Sequence, residues 1–179
     1  MQDPYVVFGA TGGQGGAVVT ALLERQLPIR AVVRRAASPR VDDLRRRGVD
    51  IAEADITVVG DTAKAMSGAA GVFALTTPFE DGPDAELAQG AALVEAAIAA
   101  AVPHLVFSTV ASADRHTGVP HFETKATTEA ALNVSGVPHT VIGPTYFYDN
   151  MLGDIDQLQR GRLELAIPLD TPPPTTLAA

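Results

Sequence analysis

The chain has 179 residues, of which 46% are hydrophobic and 19% charged, with a formal net charge of −8 and no cysteine. That length suits one domain able to bury roughly 70% of the surface its unfolded form exposes. The acidic balance excludes a general nucleic-acid binder, which carries a basic stripe, and the absence of cysteine excludes disulfides and thiolate metal sites.

The first element, Tyr5-Val6-Val7-Phe8, reads as a strand. It breaks into Gly9-Ala10-Thr11-Gly12-Gly13-Gln14-Gly15-Gly16 and re-emerges as a helix over residues 15–25. A strand that passes through a glycine cluster into a helix is a phosphate-binding device. Glycine allows the sharp turn, the close approach of backbone to a pyrophosphate, and tight helix–strand packing. The helix start adds unpaired N–H groups and a positive dipole end. The spacing G-x-x-G-x-x-G lacks the Gly-Lys-Ser/Thr ending of nucleotide hydrolases. Gly9, Thr11, Gly12, Gln14 and Gly15 are therefore the loop's candidate dinucleotide contacts.

Strands follow at 29–33, 49–52, 71–75, 104–107 and 139–142. Between them the pattern predicts helices over 41–47, 61–66 (with Asp61 as its cap), 84–101 and 122–133. The strands are continuous apolar runs, as in a sheet buried on both faces. Six of them alternating with helices predict a Rossmann-type, doubly wound parallel sheet in three layers, α/β/α. Residues 1–150 form the expected dinucleotide-binding domain. Residues 151–179 are expected as the start of a further lobe or an extended tail, with a helix over 149–160 and a proline-rich run at 170–174. The longest apolar stretch, 91–102, is interrupted by Glu95 and is shorter than the ~20 residues a bilayer requires. The opening Met1-Gln2-Asp3-Pro4 has no signal-peptide character, so a cytoplasmic protein without membrane attachment is expected.

The end of the second strand meets the adenosine ribose in this fold. An acid there suits the 2′-hydroxyl of NAD, and an arginine the 2′-phosphate of NADP. Ile29-Arg30-Ala31-Val32-Val33 runs into Arg34-Arg35 with no acid, which favours NADP(H) over NAD(H). Arg35, Ser38 and Arg40 are further candidates for the same anion. The alternative is a solvated basic face from Arg34 to Arg47. Asp55 follows the third strand, where a carboxylate can meet the adenine amino group or simply serve a turn. Thr76 and Thr77 follow the fourth strand, where they either flank the dinucleotide or supply strand-end turn chemistry. His104, His116 and His139 have no ligand-like spacing, so no metal site is expected.

Ser108 ends the fifth strand, and His121-Phe122-Glu123-Thr124-Lys125 opens the next helix, with His121 and Lys125 one turn apart on one face. Here the chain resembles the atypical short-chain dehydrogenase/reductases and, more closely, the NmrA-like group. The similar pieces are Val7-Phe8-Gly9-Ala10-Thr11-Gly12, Val32-Val33-Arg34, Gly71-Val72-Phe73, His121 to Lys125, and Gly143-Pro144-Thr145-Tyr146-Phe147-Tyr148-Asp149-Asn150.

The resemblance implies a Tyr-x-x-x-Lys site in which His121 stands at the tyrosine position. Lys125 would hold the nicotinamide ribose, His121 would donate a proton, and Ser108 would stand beside them as a catalytic and cofactor-binding hydroxyl. Plainer roles for the pair are a surface histidine at a helix cap and a solvated helix lysine. The aromatic run from Tyr146 would border the nicotinamide or plug the core edge. Family members also carry a C-terminal lobe that closes over the nicotinamide, and this chain resembles the cofactor half with most of that lid absent. Two functions follow from the resemblance. One is an NADP(H)-binding redox-state sensor that regulates a protein partner. The other is an NADPH-dependent oxidoreductase acting on a small quinone, or another small aromatic or carbonyl acceptor. Direct nucleic-acid binding is not expected in either.

Overall fold

The computed structural model describes residues 2–145, 147, 149 and 155–162. They divide into two units, one ending at Gly143 and one beginning at Pro144. The first holds a six-stranded, wholly parallel sheet: β1 (Tyr5–Phe8), β2 (Ile29–Val33), β3 (Asp50–Glu53), β4 (Gly71–Leu75), β5 (Leu105–Ser108) and β6 (His139–Ile142). Their order is β3-β2-β1-β4-β5-β6. The connecting helices are α1 (Gly13–Glu24), α2 (Pro39–Arg46), α3 (Val59–Met66), α4 (Gly82–Ala99) and α5 (Pro120–Val134). The expected Rossmann-type α/β/α architecture is the observed one.

Side-chain alternation along the strands divides the core in two. Val6 and Phe8 join Val72, Ala74, Leu105 and Phe107 on one face, packed with Met66, Leu93, Ala97 and Leu132 from α3, α4 and α5. Val7 joins Ala31 on the other face, with Val19 and Leu44 from α1 and α2. Along this second face the aligned residues run from fully buried Val7 through half-buried Phe73 and Val106 to exposed Thr140. α1 and α2 lie over the β1–β3 half, which is why burial fades toward β6. The central strands are continuous apolar runs because both faces are covered. The edge strands β3 and β6 are half-exposed.

Helix starts depart from the sequence expectation in one consistent way: α1 to α5 each begin two residues earlier than their sequence patterns suggest. Proline sits in the first turn of α2, α4 and α5, where its missing N–H is no loss and its fixed φ suits the helix. Ser38 caps α2 by accepting the Val41 N–H at 3.3 Å. Asp61 is not the cap of α3. That helix starts at Val59 with Val58 at its N-cap, which leaves Asp61 inside the first turn.

In the second unit a helix, α6 (Ile155–Gln159), lies within the expected 149–160 segment. Tyr146, Tyr148, Asn150 and the proline-rich run at 170–174 fall outside the described residues. Among the described residues no helix is long and apolar enough to cross a membrane.

Candidate functional site

The site lies at the C-terminal ends of β1, β2, β4 and β5, where the strand order reverses between β1 and β4. Gly9 ends β1 with φ +65°, a left-handed conformation that glycine adopts freely. Its carbonyl accepts the Gly12 N–H at 2.9 Å, closing the turn that delivers the chain into α1. A Cβ on Gly15 would stand 2.3 Å from the Gly9 oxygen and 2.7 Å from the Phe8 oxygen, so this glycine sets how closely α1 approaches β1. Gly12 caps α1 without any side-chain acceptor on the first-turn N–H groups. This loop has the backbone donors and close helix–strand contact that a pyrophosphate cradle requires.

Gln14, in the first turn of α1, reaches across to the end of β5. Its Nε2 lies 3.1 Å from Ser108 Oγ, and the Ser108 hydroxyl lies 3.3 Å from Gln14 Oε1. Two expected site residues, 94 positions apart, therefore form one polar pair over the ends of β1 and β4.

Arg34, just past β2, pairs with Glu80 at 2.5 Å (Nη1 to Oε2). The Glu80 hydrogen bond, its charge, and the charges of Asp81 and Asp55 hold the guanidinium above its ordinary pKa, against a smaller lowering by burial. Arg40 donates to the Thr11 carbonyl at 3.4 Å, tying α2 to the glycine loop. The rest of the basic cluster is largely internally neutralised, with Arg45 on Asp42 and Arg46 and Arg47 on Asp43. A surface pocket of about 580 Å³ beside this end of β2 is lined by Ala36, Ala37, Ser38, Pro39, Asp42, Arg45 and Glu53.

Asp55 serves a turn. Its Oδ1 accepts the Thr57 hydroxyl at 2.7 Å and the Thr57 N–H at 2.9 Å. These bonds, the side-chain one first, hold its carboxyl below the usual range. A group depressed in this way contributes stability above its unfolded-state pKa and loses it as pH falls through the folded value. Thr57→Val is expected to raise the Asp55 pKa part of the way back, read by carboxyl NMR titration. An unchanged titration would remove Thr57 as the cause.

Lys125 is not a solvated helix lysine. Its side chain is 10% exposed and its Nζ lies 2.9 Å from Oε1 of Glu86, which is fully buried on α4. The same ammonium donates to the Thr76 carbonyl at 2.9 Å and to Thr76 Oγ1 at 3.2 Å, and stands 5.8 Å from the Phe107 ring centroid. Thr76 and Thr124 donate their hydroxyls to the two Glu86 oxygens, at 3.0 and 2.5 Å. Next to this core, Thr77 accepts from the Phe79 N–H and gives its own N–H to Gln89. His121 is half-buried in the first turn of α5 and is not its cap, which is Val119. It packs edge-on to Phe122 at 4.8 Å and lies 6.2 Å from Phe79, a residue that is 85% exposed. Glu86, Glu80 and Phe79 are the site's additions to the sequence-derived set.

A parallel sheet in this order, with a glycine turn after its first strand and a helix start at the switch point, defines a Rossmann-type α/β protein. The NmrA-like family pattern matches residues 1–176, and the chain belongs to that family. It is 33% identical over 147 residues to the NAD(P)H azoreductase of Xenophilus azovorans, covering 82% of this chain and 49% of that one. Triphenylmethane reductase of Citrobacter sp., solved with NADP(H), matches at TM-score 0.76 and 25% identity over 88% of this chain and 55% of its own. NmrA, a negative transcriptional regulator, matches at TM-score 0.72 and 22% identity, over 83% and 48% of the two chains, a likeness of fold alone. The chain thus spans about half the length of these relatives.

Proposed function

We propose that this chain is the cofactor-binding part of an NADP(H)-dependent oxidoreductase that reduces a small aromatic acceptor such as a quinone. The observation that carries cofactor binding is the Gly9–Gly15 cradle, with its uncapped α1 start and Arg34 at the end of β2. The donor set fits a dinucleotide. Backbone N–H groups suit the pyrophosphate, the Arg34 guanidinium the 2′-phosphate, and Gln14, Ser108, Thr76 and Thr77 the ribose and nicotinamide side. Lys125 takes a positioning role, since its ammonium already fixes the Thr76 carbonyl at the end of β4. When bound, the reduced nicotinamide supplies the hydride. Phe79 and His121 offer ring surface at the rim for a planar acceptor. Support for the reductase class comes from the azoreductase and triphenylmethane reductase among its relatives.

A redox-state sensor is the second reading, favoured by His121 in place of a tyrosine acid and by Lys125 held inside an ion pair. The two are separated by following reduced-nicotinamide absorbance with quinones and azo dyes, beside calorimetric binding of NADPH. NADPH binding without turnover of any acceptor would select the sensor.

The cofactor assignment has its own test. Arg34→Ala is expected to weaken NADPH about 10- to 50-fold, the loss of a charge-assisted contact to phosphate, and to leave NADH within about twofold. Equal losses for both nucleotides would remove Arg34 as the 2′-phosphate contact.

A further inference from the structure

We propose that Glu80 is a built-in competitor for the cofactor's 2′-phosphate, and that the Arg34–Glu80 pair sets how strongly the chain prefers NADP(H) over NAD(H). The proposal rests on Arg34 as the phosphate contact. Arg34 projects from the end of β2, and Glu80 from the loop between β4 and α4. β2 and β4 are the two neighbours of β1, so the ion pair joins the segments that leave the strands on either side of β1.

The carboxylate sits 2.5 Å from Nη1, where a phosphate oxygen would have to bind the same guanidinium. Asp81 and Asp55 add further negative charge around Arg34. A 2′-phosphate must therefore displace Glu80 or share the guanidinium with it, and a second anion at that distance repels it. A 2′-hydroxyl carries no charge and meets no such competition. Both partners are more than half exposed, at 63% for Arg34 and 51% for Glu80, so the pair can open without unfolding anything.

The test is calorimetric titration of the full chain with NADPH and with NADH, for wild type, Glu80→Gln, Arg34→Ala and the double variant. Glutamine keeps the shape and removes the charge, and circular dichroism and thermal melts confirm that each variant folds. Glu80→Gln is expected to tighten NADPH about tenfold, to leave NADH within about twofold, and to lose this effect in the Arg34→Ala background. If Arg34→Ala weakens NADPH selectively while Glu80→Gln changes nothing, the competitor is overturned and the phosphate contact stands. If Glu80→Gln shifts both nucleotides equally, Glu80 acts only on loop structure and the proposal fails. If Arg34→Ala leaves the NADPH preference intact, both assignments fall together.

Discussion

Lys125→Met is expected to destabilise the fold by about 3–5 kcal/mol, measured as a lower midpoint in urea at unchanged m-value. The reason is the neighbour left behind. Glu86 is fully buried, and its carboxylate is held by the Lys125 ammonium and the hydroxyls of Thr76 and Thr124. Removing the ammonium leaves an anion in the core with only two neutral donors. A charge buried without its counter-ion costs far more than the intact pair contributes. Methionine keeps the unbranched stem and ends one atom short of the ammonium, so most of the loss reports charge rather than a cavity.

The double variant Lys125→Met/Glu86→Leu should regain most of that stability, since replacing both members with apolar residues is often close to neutral. A double variant as unstable as the single would mean that packing, not charge, is the main term. The same pair of proteins separates structure from function at Lys125. If the double variant is stable yet binds NADPH as wild type does, Lys125 has no part in holding the ribose. If stability returns without binding, the lysine contacts the cofactor directly or through Thr76.

This ion pair also shows how far the sequence could be read. The strands, the glycine turn and the helices between them were legible because hydrophobic period and glycine placement are local signals. The family resemblance singles out Lys125 for the nicotinamide ribose, with a solvated helix lysine as the plainer alternative. Neither reading anticipates the buried ion pair, because the facing helix lies outside any local pattern. The pattern to find it was present. Glu86, Gly90, Leu93 and Ala97 lie on one stripe of α4, and Thr124, Lys125, Thr128 and Leu132 on one stripe of α5, all buried. One acid and one base on two core-facing stripes imply a buried pair. Gly90 lets the helices meet: a Cβ there would stand 2.1 Å from Thr128 Oγ1, and one turn earlier Glu86 reaches Thr124.

Arg34 and Glu80 were harder to read. They are 46 residues apart in a chain where nothing local marks an exposed loop glutamate as a partner for a strand-end arginine. Their meeting follows from the strand order, which places β2 and β4 on either side of β1. The early helix starts have a different origin: in α2, α4 and α5 a first-turn proline belongs to the helix and lies ahead of the apolar pattern that marks the rest of it.

Gly15→Ala should be the most damaging single-methyl change in the cofactor loop, at about 3 kcal/mol of stability with loss of NADPH binding. The added Cβ would meet the Gly9 oxygen at 2.3 Å, the Gly9 carbonyl carbon at 2.4 Å and the Phe8 oxygen at 2.7 Å. All three are backbone atoms of β1 and its turn, so no side-chain rotation relieves the clash. α1 would have to move away from β1, and that shift carries the Gly12–Gly13 helix start away from the Gly9 turn of the proposed pyrophosphate cradle. Alanine's better helix propensity returns only about 1 kcal/mol.

Gly13→Ala is the control, two residues earlier in the same helix. A Cβ there meets nothing within 4 Å, so the fold should melt at or slightly above the wild-type temperature. The two variants add the same methyl group to the same helix and differ only in what stands beside it. Equal thermal midpoints for Gly13→Ala and Gly15→Ala would mean that close approach of α1 to β1 is not what this glycine secures. A stable Gly15→Ala that still binds NADPH would remove the glycine cradle as the basis of cofactor recognition.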